Sequence, residues 1–233
     1  VFVLMSVTAV FVGWLSRTWL GGSLDLDALH GGYFLPTVAG GLIAATAAAE
    51  VGLTTLAIAA FAVGTFFWVV MFTLITARLM FRPALPAPLA PTLAIFVAPP
   101  AVAGTAWFLI APTPGPVDYA LTGITVLMIL VQLALVPRYR KLPFTLGFWS
   151  FTFPFAAVAG YAIGWLDILR PTGWRIIVVA VVAAITALVA AIAVRSLQLL
   201  HRRTVVPPLL AVPQLGDYNP AVELSPTNTL KVS

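Results

Sequence analysis

The stretch IIVVAVVAAITALVAAIAV, residues 176–194, decides the fold, because it runs for 19 residues without a charge. A membrane helix needs about 20 mostly apolar residues to cross about 30 Å of hydrocarbon. A barrel strand needs only about 10, with alternating polarity. This run is continuous and too long for a strand, so it reads as a transmembrane helix. Working outward, further uncharged stretches lie at 1–16, 28–49, 51–77, 83–117, 119–137 and 142–166. The spacing predicts seven helices, at 1–20, 32–49, 55–80, 91–110, 117–136, 145–165 and 173–199. Together they form one transmembrane domain over 1–203. The segment 204–233 is rich in proline without helical period and is expected to be a disordered cytoplasmic tail.

Composition points the same way. Of 233 residues 61% are hydrophobic and 8% charged, against about 25% charged in soluble domains. The chain therefore takes the lipid bilayer as its solvent and is all-α. With no cysteine, disulfides and thiolate metal sites are excluded. Two histidines, His30 and His201, are too few for a histidine-rich metal centre. No metal and no cofactor is expected. The net charge of +5 comes from basic residues scattered between apolar spans, so no nucleic-acid partner is expected. No basic segment precedes the first apolar run, which argues against a signal peptide. The first residue, Val1, suggests a cut through a longer protein.

The basic residues orient the spans. Placing Arg17, Arg78, Arg82, Arg138, Arg140, Lys141, Arg195, Arg202, Arg203 and Lys231 inside leaves only Arg170 and Arg175 outside. The positive-inside rule then gives a cytoplasmic C-terminus and an outside start. A multi-pass protein of a bacterial cytoplasmic membrane is the expected setting. An odd number of preceding helices would complete it.

Prolines divide the helices into two sets. Pro36 in YFLPTVAGGLIAATAAA, Pro99 and Pro100 in IFVAPPAVAGTAWFL, and Pro154 in FWSFTFPFAAVAG fall in alternate helices, each followed by small residues. Proline removes an N–H and kinks a helix. Freed backbone groups are tolerated at membrane depth only in protein or beside water. The sequence therefore predicts repeated helix hairpins, with proline-kinked inner helices around a pore and smooth outer helices against lipid. In the sixth helix Ala156, Gly160 and Gly164 form a small-residue stripe headed by Phe153. On spacing alone Phe153 is either a plug in a narrow passage or a packed core aromatic.

All seven acidic residues fall at span ends, in loops or in the tail, so no buried charge is expected to serve a transported ion. A passive, neutral pore fits better than a proton-coupled pump. Candidate lining groups are Thr37, Thr105, Ser150 and Thr152, with Thr46 as a further hydroxyl and Ala157 and Gly160 as small wall positions. The spans contain no Ser/His/Asp, metal or carboxylate constellation, so an enzyme is not expected.

The segment GFWSFTFPFAAVAGYA at 147–162 resembles a helix of the tellurite-resistance/dicarboxylate transporter (TehA-like) family. That family includes plant slow-type anion channels and fungal malate and sulfite transporters. FVAPPAVAGTAWF and HGGYFLPTVAG resemble two further helices of it, in matching order. The resemblance implies ten helices in five hairpins, the odd ones around a central pore, and a homotrimer with one pore per protomer. This chain would hold the last seven helices. The resemblance also implies a phenylalanine that occludes the pore, at the position of Phe153. Two functions follow as expectations: an anion channel or facilitative transporter of small anions, or a proton-coupled C4-dicarboxylate (malate) transporter or sulfite/tellurite-type exporter.

Overall fold

Uncharged runs of this length can satisfy their backbone groups without water only by coiling, and they do. The computed structural model describes residues 2–22 and 25–204, and among these every regular element is helical. The α-helices are α1 (Phe2–Leu20), α2 (Gly40–Glu50), α3 (Thr54–Phe81), α4 (Ala98–Ile110), α5 (Pro116–Tyr139), α6 (Thr152–Leu169) and α7 (Trp174–Thr204). Among the described residues six helical segments are long and apolar enough to cross a membrane: 31–50, 54–81, 90–110, 116–139, 146–169 and 174–201. α1 adds 19 helical residues with Arg17 as its one charge. The all-α membrane bundle read from the sequence is thus the observed fold class. The tail predicted over 204–233 lies outside the described residues, apart from Thr204. The residues divide into two units, 1–196 and 197–233. All packing described below belongs to the first.

The prolines act differently from the expected mid-helix kinks. Residues Leu35–Ala39 form a π-helical turn containing Pro36. Ala90–Val97 is a 3-10 segment leading into α4, whose first turn holds Pro99 and Pro100. Leu146–Phe151 is a 3-10 segment leading into α6, with Pro154 in the first α turn. Proline is tolerated in a first turn because the N–H it lacks would be unpaired there anyway. The prolines at 99, 100 and 154 therefore mark junctions between helix types instead of bending a continuous α-helix. In the outer set, α5 runs past residue 136 through Pro137.

Glycine contacts set how closely the helices approach. A Cβ on Gly41 of α2 would lie 2.6 Å from the Gly64 Cα of α3. The two backbones cross here with no side chain between them, the small-residue packing that membranes favour. α4 packs against α2, α5 and α6, and the span 90–110 that contains it is the most enclosed among the described residues, with 72% of its apolar window buried. The corresponding share for 146–169 is 11%. Few residues of the span containing α6 are therefore fully buried in the described chain, most being half-buried, although the sequence assigns it to the inner set.

At one end of the bundle arginines tie the loops. Arg78, in the last turn of α3, donates from Nη1 to the Pro83 carbonyl (2.7 Å) and from Nη2 to the Asp27 carbonyl (3.4 Å). Arg82 Nε lies 3.6 Å from Asp27 Oδ1. Trp149 Nε1 donates to Ser196 Oγ (3.0 Å), and Arg195 stands over the Phe144 ring. Arg78 and Arg82 thus stand at the C-terminal end of α3, whereas Arg195 lies within α7.

Candidate pore neck

The three proline-marked junctions meet. Phe34, Leu35, Val38 and Ala39 from the π turn and its start, Ile95, Ala98 and Pro99 from the α4 junction, Leu42, Val102 and Phe153 together line one cavity of about 10 Å³. A water molecule needs at least about 10–15 Å³ by this measure. The cavity has room for about one water at most, and every side chain that lines it is apolar. Phe34 and Phe96 brace it edge to face at 5.1 Å, and Phe72 backs Phe96 at 5.6 Å.

Phe153 is 37% exposed, against 1% for Phe34. It lines one side of this cavity. Its ring continues a face on which Ala156 and Gly160 are also exposed, and a Cβ on Gly160 would meet nothing within 4 Å. Gly164, the last residue of the stripe, instead packs against the Phe108 ring. Ala157 turns inward and packs on the core.

The hydroxyl candidates separate. Thr105 Oγ1 donates to the Ala101 carbonyl (3.1 Å), Thr152 Oγ1 to that of Trp149 (2.8 Å) and Thr46 Oγ1 to that of Leu42 (3.1 Å). These are bonds back to the same helix, which leave no proton to offer a ligand. Ser150 is half-buried in the 3-10 segment before α6. Thr37 is fully buried, and its Oγ1 has no hydrogen-bond partner. Pro36 and Thr37 do not line the neck itself, whereas their neighbours Leu35 and Val38 do.

The lead-in to α2 is capped by His30, whose Nδ1 accepts the Gly32 N–H at 3.1 Å. Only an unprotonated Nδ1 can accept this bond. Burial lowers the His30 pKa below its ordinary 6.5, which favours that form.

Two charged side chains at span ends are nonetheless buried. Arg78 and Asp118 are buried, at 3% and 0% exposure. Both lie within a turn of a helix end, where unpaired backbone groups recruit them. Arg78 holds loop carbonyls, and Asp118 Oδ2 accepts the Gly115 N–H at 2.8 Å to cap α5. Neither lines the neck.

A polar chain not foreseen from the sequence supports the α4 junction. Gln132 of α5 donates from Nε2 to the Leu93 carbonyl (2.9 Å) and accepts from the Tyr139 hydroxyl (2.8 Å). Tyr139 in turn meets Phe151 edge to face at 4.9 Å. Gln132→Leu keeps the volume and leaves a buried carbonyl and a buried hydroxyl unpaired. It should lower stability by about 1–3 kcal/mol, read as a lower midpoint of thermal unfolding in detergent. An unchanged midpoint would show that the chain carries no structural weight.

Helical segments interrupted at prolines, packed into an all-helical bundle with six spans long and apolar enough to cross a membrane among the described residues, define a polytopic membrane protein. Residues 1–197 match the SLAC1 family, described as voltage-dependent anion channel, and the chain belongs to that family. It is similar to the S-type anion channel SLAH2 of Arabidopsis thaliana, at 30% identity over 71% of this chain and 31% of that protein. It is also similar to the S-type anion channel SLAH3 of the same plant, at 30% identity over 69% of this chain and 25% of the relative. The chain thus spans less than a third of the length of either curated relative.

Proposed function

We propose that this chain supplies part of the pore of an anion channel or facilitative anion transporter, held shut by Phe153. The observation that carries the proposal is the neck itself: three junctions meet at an apolar constriction with Phe153 as one wall. Membership of the anion-channel family supports the ion class. No ionisable side chain lines the neck, so nothing there can take up a coupling proton. The intact protein is a homotrimer in the bilayer, with the C-terminus on the cytoplasmic side.

Selectivity in such a neck follows the cost of dehydration, because no fixed charge compensates an ion that enters. Nitrate, more weakly hydrated than chloride, should pass faster. Divalent malate should pass slowest, and sulfite, which is partly divalent at neutral pH, should fall between chloride and malate. Reconstitution of the intact protein in liposomes, with flux compared for chloride, nitrate, sulfite and malate, tests this. Malate flux above nitrate flux would refute the neutral-neck reading and favour a dicarboxylate transporter.

A further inference from the structure

The C-terminal half of α6 is tied to α5 by a cluster of hydrogen bonds. The Tyr161 hydroxyl lies 2.7 Å from Thr122 Oγ1 of α5 and donates to the Asp118 carbonyl at 3.1 Å. Thr122 Oγ1 also donates to the Asp118 carbonyl (2.7 Å) and accepts from Trp165 Nε1 (2.9 Å). Below the hydroxyl, the Tyr161 ring covers Gly104 of α4 so closely that a Cβ on that glycine would clash with it. Phe108 packs on the same ring, with centroids 5.1 Å apart. Tyr161 is 2% exposed, whereas most residues of α6 are not buried. Tyr161 thus helps to fix the rotation of the span that carries Phe153, together with buried Pro154 and the packed Ala157 and Gly164.

We infer that Tyr161 is the positioning residue of Phe153, and the inference rests on the proposed role of Phe153 as the occluding ring. The two residues are eight apart on one helix, about 12 Å along its axis. A rigid helix transmits rotation over that distance. A turn of about 20° about the axis moves a side chain at a radius of about 6 Å by about 2 Å. A neck of about 10 Å³ has no slack for such a shift. The Tyr161–Thr122–Asp118 contacts bias α6 toward the rotation that seats Phe153. Their loss shifts the population toward rotations in which the ring leaves the neck.

The test uses the intact protein and two readouts. This chain contains no cysteine, so Phe153→Cys adds the one thiol it contributes. Tyr161→Phe, which keeps the ring on Gly104 and deletes only the hydroxyl, should speed thiol modification at position 153 by about fivefold. Thr122→Val, which removes one of the two oxygens that face the Tyr161 hydroxyl and leaves the Asp118 carbonyl, should act in the same direction by a smaller factor and serves if the first variant does not fold. In current recordings Tyr161→Phe should raise basal anion conductance when Phe153 is present and add nothing in a Phe153→Ala background. An unchanged modification rate in both variants overturns the positioning role. So does an equal conductance gain with and without Phe153, because Tyr161 would then act elsewhere. If Phe153→Ala itself leaves conductance unchanged, the occlusion reading has failed, and the modification rate still decides whether Tyr161 positions residue 153.

Discussion

Phe153→Ala should raise anion conductance of the intact protein by at least about tenfold, the factor given by a barrier lower by about 1.4 kcal/mol. The neck holds about 10 Å³ with the ring in place. Truncation to alanine removes six ring carbons from the wall. The remaining wall residues, Val38, Ile95 and Val102 among them, belong to other helical segments and hold their places without the ring. Phe153 is 37% exposed, so its removal creates little buried void and should cost less stability than a core Phe→Ala change, which costs about 3–5 kcal/mol. The expected outcome is thus a well-folded protein with larger current. Normal expression and unchanged conductance would remove Phe153 from the role of gate.

Gly41→Ala should cause the largest loss of stability among the single changes considered. Its Cβ would stand 2.6 Å from the Gly64 Cα, 2.8 Å from the Gly64 N and 3.3 Å from the Ala60 carbonyl oxygen. All three neighbours are backbone, so no side chain can rotate away. The α2–α3 crossing must open, and overpacking of this kind costs about 1–3 kcal/mol or more. α2 also carries Leu42 of the neck and follows the π turn that supplies Val38, so the damage reaches the candidate site. Gly123→Ala is the control: its Cβ would meet nothing within 4 Å on an exposed face of α5. That change should be neutral or stabilising by up to about 1 kcal/mol through helix propensity. The measurement is the midpoint of thermal aggregation in detergent. Equal midpoints for the two variants would show that the glycine crossing tolerates a methyl group.

Charge spacing made the helical spans legible, because a charge at membrane depth is costly and so charges collect at span ends. Pro36, Pro99 and Pro154 were legible as interruptions, since no other residue lacks an N–H. Their form was not legible. A first-turn proline and a mid-helix kink look alike in a linear sequence, and only the neighbouring turns distinguish them. Phe153 could be placed on a face but not among its neighbours, because the neck joins segments about 55–120 residues apart in the chain. Gln132 was visible as a polar residue in an apolar stretch, yet its partner is a backbone carbonyl at Leu93, which no side-chain pattern announces. Asp118 gave a helix-start signal but none for full burial. The Gly41–Gly64 crossing left no trace either, because nothing in the spacing of glycines says which two will meet.

The most direct measurement is the reversal potential of the reconstituted intact protein under an imposed anion gradient, with Phe153→Ala recorded beside it. Passive passage through the neck predicts currents that reverse at the anion equilibrium potential, in both proteins, with a larger amplitude for the variant. Uphill anion accumulation driven by a proton gradient, with no such reversal, would contradict it.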